Sequence, residues 1–461
     1  MITVVGMDGS PLGPLAESAL ASATLVVGGR RHLAALPVPA GPGAGVRART
    51  VVLGELAPAL DALAAHEGDA VVLASGDPGF FGIVRALRER GLAAVVLPAV
   101  SSVALAFARA GLPWDDAAVV SAHGRDLRPA VNVCRASPKV AVLTGPSAGP
   151  AEIAAALAGW DRRLVVCEHL GSPAERVTEC TPASAAGRTW SDPNVVLVLA
   201  EAPPSVPSAT SAPRAPAPPP PAPAHRAWMS QPRPSRGSKL TSTRNGGGTA
   251  GAVGREAAGA AGETGAAPGP GDDCGGWALG EEQFDSRDAV ITKAEIRALV
   301  LARLAPAPGT LVWDVGAGSG SVAVECARFG AAVVAVERDE QRCQRIKDNA
   351  ARHAVDVRVR HGEAPPALDG LPAPDAVFVG GGGPAVAEAV AARRPARIVV
   401  ALAAIERAGA VHSALTNAGY AVDGALLQAS RFAPLPGDVH RLAATNPVFV
   451  LWGTAGRGAP S

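Results

Sequence analysis

The chain has 461 residues, 48% of them apolar and 18% charged, with a formal net charge of +1. That length exceeds one ordinary core and suggests about three lobes at roughly 150 residues each. The near-zero charge excludes a global attraction to nucleic acid, and no run approaches the roughly 18 consecutive apolar residues of a membrane span.

The chain enters "ITVVG" directly, without a basic segment, a long apolar stretch and a small-residue cleavage site, so it is expected to be cytosolic and not membrane-bound. In chain order, "ITVVG", "ATLVVGG", "AVVLASGD" and "AAVVLPAV" read as strands separated by Ala-rich helical stretches. Beyond "GLPWDD" a second set follows in "AAVVSAHG", "VAVLTG", "RLVVCEHLG" and "NVVLVLAE". These give two lobes, about 1–113 and 114–201. From 202 to 275 proline and then glycine dominate with almost no branched aliphatics. Such a segment buries too little apolar surface to offset its chain entropy and is expected to be a disordered tether. Six Lys or Arg and no acid between Ala202 and Gly254 leave a basic interaction arm as the alternative.

From 276 to 461 "TLVWDVGAG", "AAVVAVERD", "VRVRHGEA", "DAVFVGGGG" and "RIVVALA" again alternate with helices. Alternation of this kind implies an α/β fold with parallel or mixed sheets covered on both faces. Six cysteines (Cys134, Cys167, Cys180, Cys274, Cys326, Cys343) lack C-x-x-C spacing, which argues against a disulfide framework and a zinc site; no metal is expected.

"VWDVGAGSGSVAVE" is a buried strand, a glycine turn and a helix start. Open α/β sheets bind ligands at the carboxyl ends of their strands. Gly316, Gly318 and Gly320 alternate, but position 321, where a dinucleotide fingerprint places its third glycine, is Ser321. That mismatch disfavours NAD or FAD, and no Gly-Lys-Ser/Thr follows to make a P-loop. Glu337 ends the next strand about twenty residues on, placed to accept both hydroxyls of a ribose.

Together the turn and Glu337 resemble the class I methyltransferases, with a Rossmann-like fold and S-adenosylmethionine as cofactor. The resemblance implies that Gly316, Ala317, Gly318, Ser319 and Gly320 pass the methionine portion, Glu337 holds the ribose, and Glu363 with Ala364 lies beside the adenine. Upstream, "GEEQFDSRDAVITKAEIRALVLARL" and later "DAVFVGGGG" and "TNPVFVLWG" resemble the carbon-15 methyltransferases of cobalamin biosynthesis, which implies that Thr292 lies over the cofactor. Thr292 and Lys293 have a plain alternative as helix-capping and solvating residues.

The first 200 residues carry "VVGMDG", "VVGGRRHLAALP", "VVLASGDPGFFG", "PAVSSVALAFARAGLPWDDA", "VSAHGRDL" and "CEHLGSPAERVTE" in order. These resemble the tetrapyrrole methylases, the two-lobed class III methyltransferase fold. The resemblance implies that Ser75, Gly76, Asp77 and Phe80 line one wall of a second S-adenosylmethionine pocket and Ser101 and Ser102 the other, with Gly9 and Gly171 at its margins. "MDGSPLG" departs from the Gly-Pro-Gly turn of many tetrapyrrole methylases, so the first-turn geometry stays open.

A carbon-5 module followed by a carbon-15 module resembles the bifunctional precorrin-6Y methyltransferases, which add two methyl groups and remove carbon dioxide from the ring C acetate to give precorrin-8. The alternative is the cobalt-containing substrate of the anaerobic route. The implied substrate is a polycarboxylate tetrapyrrole, for which arginine forks are suited anchors. Arg30, Arg31, Arg125, Arg287 and Lys293 are the candidates, and Gly381 and Gly382 leave room for a flat macrocycle. His123 is the candidate proton-transfer group, because imidazole exchanges protons near neutral pH. The family resemblance also implies a homo-oligomer.

Overall fold

In the structure, a computed structural model, residues 1–36, 48–201, 276–286 and 291–456 are described. The expected tether at 202–275 and the candidate Arg287 lie outside them.

The apolar β-branched runs of the first 100 residues form a five-stranded parallel sheet. Its strands are β1 (Ile2–Met7), β2 (Leu25–Gly28), β3 (Arg49–Val52), β4 (Ala70–Ser75) and β5 (Ala94–Leu97), in the order β3-β2-β4-β1-β5. Val4, Val26, Val72 and Leu73 are buried, as near-continuous apolar strands covered on both faces should be.

A second, mixed sheet follows in β6 (Ala118–Ser121), β7 (Lys139–Leu143), β8 (Arg162–Glu168), β9 (Arg176–Cys180) and β10 (Asn194–Ala200), in the order β6-β7-β10-β8-β9. Its β10 is antiparallel to both β7 and β8. The first sheet lies within residues 2–97 and the second within 118–200. Strands β3 and β9 went unread in the sequence because "RTVV" and "RVTEC" are edge strands with mostly exposed side chains, so their apolar signal is weak.

The third sheet has β11 (Leu311–Val315), β12 (Ala332–Glu337), β13 (Arg358–His361), β14 (Ala376–Gly380) and β15 (Arg397–Leu402) parallel. It is extended by β16 (Tyr420–Leu427) and β19 (Val448–Ala455), giving the order β13-β12-β11-β14-β15-β19-β16 with β19 antiparallel to both neighbours. Between them β17 (Ser430–Leu435) and β18 (Val439–Ala444) form a separate hairpin. The expected five strands are present, whereas β16 to β19 were not anticipated. The residues of β16 to β18 are largely exposed, so there is no buried run to read in them.

The order of β11 to β15 reverses direction at β11, with β12 on one side and β14 on the other. A switch point of this kind opens a crevice at the strand carboxyl ends.

Candidate cofactor and substrate sites

In the first lobe three loops converge beyond the carboxyl ends of β1, β4 and β5. Gly76 donates its N-H to the Met7 carbonyl at 2.7 Å, and Ala99 donates to the Gly76 carbonyl at 3.4 Å. A Cβ on Gly6 would lie 2.2 Å from the Gly76 oxygen, so the β1 end accepts no side chain. Asp8 fastens the same loops: Oδ2 accepts the Val100 N-H at 3.2 Å and Oδ1 the Ser10 N-H at 3.0 Å. The lobes meet here, because Gly9, at φ +92°, would press a Cβ to within 1.8 Å of the Gly171 oxygen. Gly171 is held by Glu175, whose Oε2 accepts its N-H at 2.8 Å while Arg109 pairs with that carboxylate.

The expected first-site residues are therefore brought together. Gly76 packs against the Ser101 backbone, and Phe80 packs against the apolar cluster that joins Phe107 to Cys167 and Leu197 of the second sheet. Two side chains have structural duties. Asp77 Oδ1 accepts the Gly79 N-H at 2.8 Å, and Ser101 Oγ caps the helix Ser102–Ala110 by accepting the Ala104 N-H at 3.1 Å.

Of the substrate candidates, Arg31 is joined to this wall: its guanidinium donates to Ser75 Oγ and, at 3.3 Å, to His32 Nε2. A guanidinium only donates, so His32 Nε2 is an acceptor and Nδ1 carries the hydrogen. That Nδ1 is buried without a partner. Burial, and secondarily the Arg31 charge, push the His32 imidazole down to about 4, so it is uncharged near neutrality. Sequence reasoning missed His32, although it directly follows the arginines it singled out. Arg30 is exposed at the start of the same helix. His123 and Arg125 lie on an exposed loop after β6, where His123 Nδ1 is 3.1 Å from the Thr144 oxygen and Arg125 stands 6.0 Å from the Phe81 ring.

In the third sheet the carboxyl ends of β11, β12 and β14 form the other site. Gly316, Gly318 and Gly320 have φ of +75°, +59° and +77°, the left-handed conformation that glycine alone adopts freely. A Cβ on Gly316 would lie 2.7 Å from the Gly380 oxygen, so the two glycine stretches of the sequence meet face to face. Glu337 is buried behind the turn: Oε2 accepts the Gly318 N-H at 2.8 Å, and Oε1 accepts from Arg338 and Asp339 at 3.0 and 3.1 Å. Oε2 keeps a free lone-pair direction.

Asp314 lies beneath the turn and caps the helix Ser321–Arg328, its Oδ2 accepting the Ala323 N-H at 3.0 Å. Burial pushes its carboxyl up to about 7, with the Glu337 charge a smaller contribution in the same direction. Asp314 Oδ1 and Ser319 Oγ are the only buried side-chain oxygens without a partner among the described residues. Strand pairing sets His361 beside Glu337, and Gly362 donates to the Glu337 carbonyl at 2.9 Å, bringing Glu363 and Ala364 next to it. Glu363 itself is exposed and pairs with Arg338 at 3.2 Å. Gly381 and Gly382 follow β14 at the same edge.

The segment leading into this half is clamped over the site. Arg297, fully buried, pairs with Glu325 and donates to the carbonyls of Leu279 and Thr292. Asn349 holds Asp285 by both its N-H and its carbonyl and donates to the Ser319 carbonyl at 2.9 Å, joining lead-in and turn. Thr292 is not the helix cap: the N-cap is Lys293, no side chain caps from there, and Glu281 Oε1 takes the Ala294 N-H at 2.8 Å. Arg431, on β17, holds Glu281 and Glu295 and drives the Glu281 carboxyl down to about 2. Arg297 and Glu325 were missed: their helices also carry Glu295, Arg303 and Arg328, and helical spacing does not show which of these charges pair between the two.

Among the described residues no helix is long and apolar enough to cross a membrane, and no group of three or more potential metal ligands gathers. Glycine-lined crevices stand at strand carboxyl ends in two different α/β folds of the chain. The sequence profile of tetrapyrrole (corrin/porphyrin) methylases matches residues 8–186, and that of the precorrin methyltransferase domain matches residues 282–454. Over 401 residues the chain is 32% identical to a precorrin-6Y C(5,15)-methyltransferase (decarboxylating) of Sinorhizobium sp, spanning 83% of this chain and 78% of that protein. The first half is 34% identical to the cobalt-precorrin-7 C(5)-methyltransferase of Salmonella typhimurium, over 44% of this chain and all of that one. The second is 35% identical to a probable cobalt-precorrin-6B C(15)-methyltransferase (decarboxylating) of Pyrobaculum calidifontis, over 37% of this chain and 92% of that one. The chain belongs to the precorrin-6Y C(5,15)-methyltransferase (decarboxylating) family.

Proposed function

We propose that the chain methylates precorrin-6Y at carbons 5 and 15 and removes the carboxyl group of the ring C acetate, giving precorrin-8, with one S-adenosylmethionine site in each half. The observation that carries this reading is the continuous likeness to a bifunctional relative across both halves, each of which has its own glycine-lined strand-end site. S-adenosylmethionine supplies an electrophilic methyl carbon, so no protein nucleophile is required, and the chain must bind, orient and exclude water.

The residues fit such a group. In the second half Glu337 keeps an open acceptor position beside a turn whose glycines admit close approach, and Asp314 and Ser319 present unpartnered oxygens. In the first, Ser75, Gly76, Asp77, Ser101 and Ser102 converge at one edge with Gly9 and Gly171 closing it. The first half is assigned carbon 5, and the second carbon 15 with loss of carbon dioxide, for which the conjugated macrocycle is the electron sink.

Arg31, at the wall of the first site, is the best placed carboxylate anchor, with Arg30 and Arg125 further out; Lys293 is the candidate for that part in the second site, and Gly381 and Gly382 for the floor beneath the macrocycle. His123 is the candidate for the proton released at carbon 5. His123→Asn is expected to change kcat and its pH profile, because only the group that receives this proton does so. The chain is proposed to assemble as a homo-oligomer, which the apolar face of the β17–β18 hairpin supports: Phe432 is 81% exposed, and Val439 and Leu442 are exposed beside it.

Calorimetric titration with S-adenosylhomocysteine tests the reading. Two sites per chain are expected, with Asp77→Ala losing one and Glu337→Ala the other; a single site in the unaltered chain overturns it. A cobalt-containing substrate is the second reading, favoured by the names of the two half-length relatives. Turnover on metal-free against cobalt-loaded substrate decides between them.

A further inference from the structure

The two methyltransferase halves touch through residues that belong to neither site. The helix Leu127–Ala136 of the second lobe lies against the third sheet. Asn132, with no exposed surface, donates to the Gly309 carbonyl at 3.0 Å and to Asp375 Oδ2 at 3.4 Å. Arg128 pairs with Asp375 Oδ1 at 2.9 Å and donates to the Ala373 carbonyl at 2.8 Å. At the start of β8, Arg162, 3% exposed, reaches Asp356 at 2.6 Å while two further bonds tie it to the carbonyls of Cys134 and Arg135. Trp160, 5% exposed, is part of the apolar cluster that contains Leu311, Trp313 and Val377 of the third sheet. The guanidinium groups of Arg135 and Arg358 flank its ring at 5.5 and 5.6 Å.

We propose that the two halves form one body held by this interface, independently of the residues that connect them, and that the interface closes the amino ends of the third sheet while leaving both strand-carboxyl sites free. Buried tryptophan and arginine inside a polar rim are the usual anchors of a specific interface, and parting the halves would expose Trp160. On the third sheet the partners of the polar and guanidinium contacts precede or open a strand: Gly309 before β11, Asp356 before and Arg358 at the start of β13, Asp375 before β14. The glycine turn lies at the opposite end of β11, a strand length of roughly 16 Å away at about 3.3 Å per residue.

The test is to insert a specific protease sequence within residues 202–275 of the full chain, cut it, and run gel filtration. The cut halves are expected to elute as one species at the position of the uncut chain. Arg128→Glu combined with Asp356→Lys reverses two exposed charges of the interface and is expected to give two smaller species after cutting; Asp356→Lys alone is expected to give partial separation. Retained binding of S-adenosylhomocysteine at the glycine turn after β11 reads the folding of the second half in each variant, because that turn is remote from the interface, and the far-ultraviolet circular dichroism of each variant reads the fold of the whole chain. Separation of the unaltered halves on cutting overturns the proposal, and co-elution of the cut double variant overturns the assigned contact.

Discussion

The two strand-end sites solve one problem in different ways. The first is assembled between lobes: Gly9 of one meets Gly171 of the other backbone to backbone, and the side chains that face the crevice, such as Ser75, are exposed. The second is assembled within one sheet, where buried acids, Asp314 and Glu337, hold a glycine turn from behind. Closeness of backbone defines the first and buried charge the second. Steric substitutions should therefore damage the first most, and changes of charge or pH the second.

The largest expected effect comes from Gly9→Ala. A Cβ there meets the Gly171 oxygen at 1.8 Å, and φ of +92° is strained for any L side chain. The strain alone costs about 1 to 3 kcal/mol, and the lobes must shift besides. Titration with S-adenosylhomocysteine should fall from two sites to one, the second keeping its affinity. Retention of both sites would break the contrast.

Next in size is a pH effect confined to the second site. Asp314 has its folded carboxyl raised to about 7 from an ordinary 3.8, so the folded state holds a proton that the unfolded chain has released. The stability this contributes is fully present below about pH 4 and is lost as pH rises through 7, on the order of 4 kcal/mol. Asp314→Asn cannot titrate, so its stability relative to the unaltered chain should rise between pH 4 and 7 and be level outside that window. Denaturant unfolding followed by a probe in the second half measures it; a flat difference across that window removes the burial argument.

Smaller again is Glu337→Gln. The amide still accepts the Gly318 N-H but gives up charge-assisted bonds, which are about twice as strong as neutral ones. Roughly ten-fold weaker binding at the second site is expected by calorimetry, with the first unchanged.

The sequence made strands legible where both faces are buried, as in "LVWDV" and "NVVLVLA", because such runs have a continuous apolar signal. It did not make β16 to β18 legible, since their exposed faces carry little pattern. Glycines with positive φ were legible as turns, and the acids before and after the 316 turn as its supports. What they bond to was not: Asp314 as a helix cap, Glu337 on the Gly318 N-H and Asn349 joining Asp285 to Ser319 are contacts across 9 to 64 positions of chain. No local spacing encodes such pairs. The same limit hid the unpartnered Nδ1 of His32, which depends on Arg31 and on Ser75 from another strand.

Ser101 carries the smallest effect and sharpens the contrast most. It was read from the sequence as a cofactor wall, and in the structure its Oγ is the cap of the helix Ser102–Ala110. Ser101→Ala should lose about 1 kcal/mol of stability for the missing cap, seen as a fall of a few degrees in Tm. Asp also caps, so Ser101→Asp should keep the stability. If the first site is built by backbone closeness, both variants bind S-adenosylhomocysteine within about three-fold of the unaltered chain, less than 1 kcal/mol. If Ser101→Asp stays stable but binds far more weakly, the hydroxyl is itself a contact, and the first site relies on side chains at the wall facing Gly76 as well as on its glycines.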